Sequence, residues 1–365
     1  MRKRNKILTI IVCVMLLFTG IVFFGDREYK KNQILNIKDT YKIEIDDGEV
    51  SGDVLNKLVK DKVVDSELMT KAFLKLNSEL SNNIMSGSYV FKKGTSLEKM
   101  WTDFSKGNQS DLASFQVIEG ETLSEYAKQL ATALGDKDRW KEIIEFWNSK
   151  EFINTIIEKN DCIDDSILND QIYFPLEGYF SPNTYLFNKS KFNFDNLDYI
   201  SNYIISQRDV DYNKIIKSDQ DYNQNIKNFH ELLTLASIVE REALSLEDKK
   251  IVAGIFINRL NNNDRLGSDI TTYYAEQVPI HERDLTQEEL DKKNSYNTRG
   301  DLLGLPVGPV NNPSVDSINA ALNYKKNDYY YFVSDKNGNM YYSKTAAEHQ
   351  QIIKKLKKDG LWYVW

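Results

Sequence analysis

The chain has 365 residues, of which 28% are charged and 41% are hydrophobic, and its formal net charge is −7. This length and composition predict a folded protein of about two domains with a sizeable core. The acidic balance argues against nucleic acid as a partner, because no basic tract beyond the first six residues could neutralise phosphates. Of the two cysteines, Cys13 lies in an apolar N-terminal run and only Cys162 lies beyond it, so no intramolecular disulfide is expected.

The N-terminus has the pattern of a membrane anchor. Residues 1–6 carry four basic side chains, and residues 7–24 form an uncharged apolar run of 18 residues, close to the ~20 that span a bilayer. The basic flank predicts a cytoplasmic tail at 1–6, a single-pass transmembrane helix at 7–24, and the rest of the chain outside the cytoplasm. A cleaved signal peptide is the alternative, but no small-x-small cleavage site follows the run.

A strand–turn–helix pattern recurs between residues 38 and 135. Each turn has a glycine followed by a hydroxyl residue, at 47–51, 93–97 and 119–123. Glycine permits the turn, and the hydroxyl residue is placed to cap the following helix. We interpret 38–135 as small α+β module(s) that resemble the LysM-like modules of cell-wall proteins. A module without a binding site of its own is the alternative.

Residues 136–229 are predicted to form a connecting helical region interrupted by a shaped loop. The loop sequence FPLEGYFSPNTYLF, at 174–187, holds two prolines, a glycine and several aromatic residues, which disfavour a regular helix. Its Glu177 is a candidate carboxylate for the chemistry of the protein.

The stretch from 230 to 260 is predicted to hold the helix around which the site is organised. Apolar residues follow one stripe at helical spacing, namely Leu232, Leu235, Ala236, Val239 and Ala243. Glu240 lies at the edge of this stripe. Because an apolar border disfavours the charged carboxylate, Glu240 is expected to keep its proton, as a general acid must at neutral pH. Glu242 lies on the other edge, so the helical pattern does not choose between the two, and an ordinary solvated face is the alternative.

The C-terminal part is predicted to contain a hairpin and a final helix. YYYFVSD and NMYYSK flank Asn337-Gly338, a pair typical of a type I′ turn. Two capping boxes, Ser245 with Asp248 and Thr345 with Glu348, predict helices at 246–260 and 346–358.

Several other chemistries find no support in the sequence. The chain has three histidines, and the segment at 281–284 lacks the second histidine of a zinc-binding helix. Neither a G-x-S-x-G motif nor a phosphate-binding loop occurs. No metal or cofactor is therefore expected. What remains is carboxylate chemistry among Tyr, Asn and Thr, which suits a sugar because sugar hydroxyls need hydrogen-bond partners and sugar faces pack on aromatic rings.

Ordered motifs carry a resemblance to a known family. They are LEGYFSPNTY, ASIVEREA with VAGIFINRL, SDITTYYA, SYNT, GLPVGPVNNPS and YYYFVSD. In order and spacing they resemble the endolytic murein transglycosylase (YceG-like) family. The resemblance implies an α+β protein with a membrane anchor, LysM-like module(s), the connecting region, and a mixed α/β YceG-like catalytic domain at 230–365. Ile270 and Val307 depart from the family pattern, which usually has proline there, and leave the polar residues intact.

The resemblance also implies a mechanism in which Glu240, the first glutamate of the I-V-E-x-E motif, is catalytic. Glu240 would protonate the β-1,4 bond between N-acetylmuramic acid and N-acetylglucosamine, and then accept the 6-hydroxyl proton as a 1,6-anhydro ring closes. The polar motif residues are expected to bind the glycan: Glu177, Asp269, Thr271, Tyr274, Tyr296, Asn297 and Thr298.

The implied location is the outer face of a bacterial cell membrane. Peptidoglycan strands would be the substrate, the membrane the anchoring partner, and peptidoglycan synthases or division proteins further candidate partners. The implied role is cell-wall assembly and remodelling, including termination of glycan elongation. Two alternatives stay open: a membrane-tethered wall-binding scaffold without activity, and a hydrolytic muramidase in which Glu240 works with Glu177 or Asp269.

Overall fold

The computed structural model of the chain describes residues 35–46, 48–81, 84–107, 112–216, 222, 225–280 and 282–362. The tail and anchor expected at 1–6 and 7–24 lie outside these residues. Across the described ranges, no helix is both long enough and apolar enough to cross a bilayer.

The chain divides into two compact units. The first comprises the residues up to Ala113 together with Leu186–Ser190, and the second comprises Ser114–Tyr185 and Lys191–Trp365. Both helices and short strand pairs occur, which confirms the expected α+β class. The LysM-like character of 38–135 and the domain boundaries after 135 and 229 stay predictions.

The first unit pairs two strands against short helices. Strand β1 is antiparallel to β2, with Thr40 opposite Lys92 and Ile45 opposite Gly87. The elements are β1 (Thr40–Ile45), α1 (Ser51–Lys60), α2 (Glu67–Leu76), α3 (Ser78–Ser81), β2 (Gly87–Lys92) and α4 (Leu97–Lys106). Alternate strand residues and the inner helix faces form one apolar core, in which the rings of Trp101 and Phe104 meet edge to face 5.4 Å apart.

The second unit is mostly helical. It holds most of β3 (Leu112–Val117) and the first half of β4 (Asn183–Asn188), and a hairpin pairs β5 (Tyr331–Ser334) with β6 (Met340–Ser343). The helices are α5 (Leu123–Ala133), α6 (Trp140–Trp147), α7 (Lys150–Lys159), α8 (Leu197–Ile215), α9 (Phe229–Glu242), α10 (Leu246–Asn261), α11 (Asp269–Ala275), α12 (Gln287–Asp291), α13 (Val315–Leu322) and α14 (Ala346–Lys358). Short 3₁₀ turns occupy Lys137–Arg139, Asp165–Leu168 and Phe194–Asn196.

The recurring strand–turn–helix pattern is found at all three places. In the second and third copies the predicted hydroxyl residue caps its helix, because Ser96 accepts from the Lys99 amide and Thr122 accepts from the Glu125 amide. In the first copy the helix begins at Ser51, so Val50 takes the cap position. The third helix, α5, belongs to the second unit.

Helix α9 lies at the centre of the second unit. It packs against α13 and α10, and the interior residues Leu232, Leu235 and Val239 are fully buried, as the stripe predicted. Asn228 caps its first turn by accepting from the Glu231 amide, and the helix ends at Glu242. The helix therefore carries both glutamates in its last turn.

The C-terminal hairpin and the capping box of Thr345 with Glu348 are present. Ser245 caps its helix by accepting from the Asp248 amide, but its hydroxyl donates to the Asp248 carboxylate in place of the second bond of a capping box.

The hairpin turn also differs from the expected type. Asn337 does not have the positive φ that a type I′ turn requires, whereas Gly338 has φ +82°. The Asp335 carbonyl accepts from the Gly338 amide, and the Asp335 side chain accepts from the amides of Asn337 and Asn339. The aspartate side chain thus favours a longer loop with glycine in the left-handed conformation.

Candidate active site

The second unit contains a cavity of about 1350 Å³, and Glu242 is one of the residues that line it. Its walls come from the end of α9, from α10 and α11, from the loop at 298–299, and from β5. Polar and aromatic side chains share these walls, including Arg259, Arg299, Tyr330 and Tyr331. A cavity of this size with convergent polar groups is the usual form of a ligand site.

Glu242 is a partly buried carboxyl on the wall of this cavity. Burial raises its pKa to about 7, and the nearby charge of Asp269 acts in the same direction. A hydrogen bond from the Ser268 hydroxyl, 2.6 Å from Oε1, and the charges of Arg259 and Arg299 oppose this rise. Glu242 is therefore near its midpoint at neutral pH and can both give and take a proton.

Glu240 has a different environment from the one expected. Its Oε1 lies 2.8 Å from Lys249 Nζ, and the two side chains are only 6% and 8% exposed. Its Oε2 accepts from the Ser314 amide at 2.8 Å and from the Ser314 hydroxyl at 2.6 Å. Burial alone would raise the pKa of Glu240, but the hydrogen bonds from Lys249, Ser314 and Ser317 together lower it below the ordinary value. The expectation that Glu240 keeps its proton is wrong, and Glu240 does not line the 1350 Å³ cavity.

Two of the residues expected to bind glycan, Thr271 and Thr298, hold Ser268 in place, and Ser268 donates a hydrogen bond to Glu242. The Ser268 amide donates to Thr298 Oγ1 at 3.0 Å, and the hydroxyls of Thr271 and Thr298 lie 2.8 Å apart. Both threonines are fully buried. This network fixes the start of α11, where Ser268 reaches Glu242, so their hydroxyls serve internal hydrogen bonds.

Asn297 is also engaged within the protein. Its Oδ1 accepts from the Thr272 hydroxyl at 2.7 Å, and its Nδ2 donates to the Lys292 carbonyl at 2.6 Å. With 1% of its surface exposed, Asn297 holds the loop that carries Thr298.

Asp269 and Arg299 face the cavity more openly. Asp269 lies at the start of α11, with its side chain 57% exposed, and its Oδ1 is 3.2 Å from Arg299 Nε. Both line the cavity, as Thr298 does. Arg299 and Ser268 were not singled out in the sequence, although Arg299 directly follows SYNT and Ser268 opens SDITTYYA.

Glu177, Tyr274 and Tyr296 lie together away from this cavity. Glu177 is 1% exposed and accepts from the Leu123 amide at 3.1 Å, from Asn312 Nδ2 at 2.8 Å and from the Tyr274 hydroxyl at 3.2 Å. Burial raises the pKa of Glu177 to about 8. The rings of Tyr274 and Tyr296 have centroids 4.9 Å apart. None of the three lines the 1350 Å³ cavity.

Within the described ranges, no group of three or more His, Cys, Asp or Glu side chains is placed to hold a metal ion.

The second unit thus holds a carboxyl of raised pKa at a polar cavity, and the family of the chain is shown by comparison with known proteins. Residues 43–355 match the model of the YceG-like family, and the chain belongs to this family. It is 30% identical over 321 residues to the endolytic murein transglycosylase of Bacillus subtilis, a match that covers 87% of this chain and 85% of the relative.

Two further comparisons agree with this assignment. The chain is 27% identical over 370 residues to the endolytic murein transglycosylase of Streptococcus pneumoniae, covering 95% of this chain but 64% of that relative's length. A crystal structure of a yceG-like protein from Listeria monocytogenes has a TM-score of 0.59 and 29% identity, and the match covers 86% of this chain and 99% of that one.

Proposed function

We propose that this chain is an endolytic transglycosylase of peptidoglycan. It cleaves the β-1,4 bond between N-acetylmuramic acid and N-acetylglucosamine and leaves 1,6-anhydromuramic ends. The family membership and the names of the relatives support the reaction class. The observation that carries the proposal is Glu242, a carboxyl with a pKa of about 7 on the wall of a large polar cavity.

Glu242 acts first as the acid and then as the base. Its proton passes to O4 of the leaving N-acetylglucosamine as the bond from O4 to the muramyl C1 breaks. The resulting carboxylate removes the proton from the muramyl 6-hydroxyl, and O6 forms the new bond to C1. No water enters the products, and Glu242 regains its proton. The nucleophile is tethered to the reacting sugar, which favours ring closure.

The roles of Glu242 and Glu240 follow from their surroundings. Glu240 was expected to be the acid from the family motif, but its ion pair with Lys249 and its lowered pKa leave it without a proton at neutral pH. We therefore give the acid role to Glu242 and a structural role to Glu240. Asp269 raises the pKa of the acid, and Arg299, its ion-pair partner, is placed to contact the substrate.

The hydrolytic alternative needs a second carboxylate to activate water. Glu177, one candidate for that role, is enclosed by Leu123, Asn312 and Tyr274 and does not line the cavity with Glu242. Asp269, the other candidate, lines the cavity with Glu242 and pairs with Arg299. The preference for the transglycosylase over the muramidase therefore rests on the family membership and on the names of the relatives.

Product analysis tests the reaction. The full chain in detergent is incubated with peptidoglycan, and the new ends are identified by mass spectrometry. We expect 1,6-anhydro ends. Reducing ends would mean a muramidase, and no released product would mean a wall-binding scaffold.

Two variants test the assignment of the acid. Glu242→Gln keeps the side-chain size and removes the proton, so turnover should fall by roughly 10²–10⁴-fold with folding intact. Glu240→Gln strands the buried charge of Lys249 and should mainly lower stability, by roughly 2–4 kcal/mol.

A double variant separates these two effects. Glu240→Gln with Lys249→Met removes both charges, so it should regain stability and retain activity. If the double variant folds but is inactive, while Glu242→Gln still turns over, then Glu240 is the acid after all.

The membrane location is part of the proposal. The apolar run at 7–24 behind a basic flank supports a single-pass anchor with an extracytoplasmic catalytic domain. Nascent peptidoglycan would then lie within reach, and peptidoglycan synthases or division proteins are candidate neighbours. The full chain should resist alkaline extraction from membranes, and removal of residues 1–24 should release it; a full chain that washes off would contradict the anchor.

A further inference from the structure

A second, smaller cavity of about 250 Å³ adjoins the site of Glu242 within the same unit. The two cavities share Ile270, Tyr273 and Ile280 as lining residues. The other walls of the smaller cavity come from the turn at 120–125, from Arg241, and from Asn311. A branch of a substrate bound at Glu242 could therefore pass over Ile270 and Tyr273 into it.

Arg241 supplies an available positive charge in the smaller cavity. Its side chain lies across Gly120, where an added Cβ would be 2.9 Å from Arg241 Cδ and 3.4 Å from Nη1. Gly120 has φ +78°, so the turn is suited to glycine and leaves room for the guanidinium. No hydrogen bond or ion pair joins Arg241 to another side chain in the part of the chain that the structure describes.

The other charged groups of this cavity are already engaged. Lys128 Nζ lies 5.2 Å over the ring of Trp140. Glu125 accepts from the Thr122 amide at 2.7 Å, and Glu121 accepts from Gln129 Nε2 at 2.8 Å. Arg241 interacts with Glu121 through its charge, but among the described residues its N–H groups make no hydrogen bond to a side chain, so they can meet a ligand.

Asn311 adds an unused hydrogen-bond acceptor. It lines the smaller cavity with 1% of its surface exposed, and its Nδ2 donates to the Ser237 carbonyl at 2.7 Å. Its Oδ1 is buried without a partner among the described residues. A buried acceptor of this kind normally has a partner, so a ligand N–H would complete it.

We propose that the smaller cavity holds the carboxylate-bearing peptide that branches from the muramyl residue of the substrate. Arg241 pairs with a peptide carboxylate, and Asn311 Oδ1 accepts from a peptide N–H. N-acetylglucosamine carries no charge, and the lactyl carboxyl of N-acetylmuramic acid is an uncharged amide where a peptide is attached, whereas a short acidic peptide carries both a free carboxylate and amide donors. This inference rests on the proposed function and makes the enzyme selective for peptide-bearing strands.

The test compares two forms of one substrate. Glycan strands with peptides, and the same strands after an amidase has removed the peptides, are given to the full chain in detergent, and kcat/KM is measured on each. We expect wild type to prefer the peptide-bearing strands. Arg241→Gln should reduce the ratio of the two kcat/KM values about tenfold, the loss of one charge-assisted hydrogen bond, and Arg241→Lys should recover part of it.

An arginine outside both cavities provides the matched control. Arg139→Gln removes an equal charge from an arginine that pairs with Glu142 and lines neither cavity, so the ratio should not move. An Arg241→Gln ratio equal to that of wild type would overturn the proposal. So would an equal loss on both substrates, which would mean that Arg241 acts only through folding.

A binding measurement separates this inference from the proposed function. The Glu242→Gln variant is titrated with a muramyl dipeptide by calorimetry, with and without Arg241→Gln. Binding that weakens about tenfold with Arg241→Gln supports the peptide site even if wild type forms no product, in which case only the proposed function fails. If wild type forms the product but Arg241→Gln leaves the affinity for the muramyl dipeptide unchanged, only the peptide site is rejected.

Discussion

Glu240 and Glu242, separated by one residue in the last turn of α9, have pKa values shifted in opposite directions. Lys249 and Ser314 donate to Glu240 and keep it ionised despite its burial. Glu242 receives one hydrogen bond, from Ser268, so desolvation prevails and its pKa rises to about 7. The number of donors at each carboxyl, and not its depth alone, decides which one holds the proton.

The pKa of Glu242 predicts how activity depends on pH. Because the proposed reaction starts from protonated Glu242, kcat/KM should be level below pH 7 and fall about tenfold per unit above it. Asp269 raises this pKa, so Asp269→Asn should move the falling limb to lower pH. A pH profile of kcat/KM for both proteins measures the shift.

An exposed aspartate outside the cavity gives the control for this prediction. Asp301 pairs with Lys293 and does not line the cavity, so Asp301→Asn should leave the profile in place. A falling limb at the same pH in Asp269→Asn and wild type would contradict the link between Asp269 and Glu242.

The helical pattern narrowed the acid to two residues, and the family motif favoured Glu240. Both lie at edges of the apolar stripe, and Lys249, Ser314 and Ser268 reach them from α10, from the start of α13 and from the start of α11. These donors are brought in by tertiary packing, which local periodicity does not encode. The choice therefore required the fold.

Helix α10 approaches its neighbour so closely that it needs a glycine. A Cβ on Gly254 would be 2.3 Å from the Lys325 carbonyl oxygen and 2.5 Å from Asn327 Nδ2. Both α9 and α10 pack against α13, which precedes Lys325. The glycine thus lets the segment at 325–327 lie directly against α10.

A glycine pair tests this contact at the level of the helix. Gly254→Ala should lower the free energy of unfolding by roughly 3 kcal/mol or more, because a backbone carbonyl must move. Gly52→Ala in α1, where nothing lies within 4 Å of the new Cβ, should raise it by roughly 0.5 kcal/mol. Urea denaturation of both variants gives the two signs, and a stabilising Gly254→Ala would show that the segment at 325–327 can move away from α10 at no cost.

The elements were more predictable than the roles of the polar residues. Helix α9, the capped helices α10 and α14, and the hairpin followed from periodicity and capping residues, which act locally. Thr271, Thr298 and Asn297 were expected at the glycan, yet their side chains bond within the protein. A polar motif in a sequence does not say whether its hydroxyls face a ligand or a neighbouring loop.

At the scale of the whole second unit, Glu177 connects segments that are far apart in the chain. It accepts hydrogen bonds from the first turn of α5 at Leu123, from Tyr274 in α11 and from Asn312 before α13. The next residue, Gly178, has φ +89°, and a Cβ added to it would be 2.8 Å from Pro309, so this position requires glycine. The segment around Glu177 and Gly178 therefore joins these three parts of the unit in its interior.

The raised pKa of Glu177 predicts a pH-dependent stability. Its folded pKa of about 8 exceeds its ordinary value of 4.5, so the folded state binds more protons between these values and stability falls as pH rises through them. Glu177→Gln cannot ionise, so it should gain roughly 2–4 kcal/mol relative to wild type between pH 4 and pH 9.

Thermal unfolding across that range measures the effect. A stability difference between Glu177→Gln and wild type that does not change with pH would mean that Glu177 titrates normally in the folded protein. Glu121→Gln serves as a comparison, since burial raises the pKa of Glu121 as well but its side chain bonds only within its own turn and helix, to Gln129.

The hydrogen bond from Ser268 to Glu242 links the raised pKa of Glu242 to the completed fold of this region. Thr298, some thirty positions further along, must dock on the start of α11 before Ser268 is fixed and Glu242 is shielded from water. In a half-folded chain Glu242 is open to water, so it is an ordinary glutamate that is ionised at neutral pH. A newly made copy therefore gains the proton donor of the proposed reaction only once this part of the fold is complete.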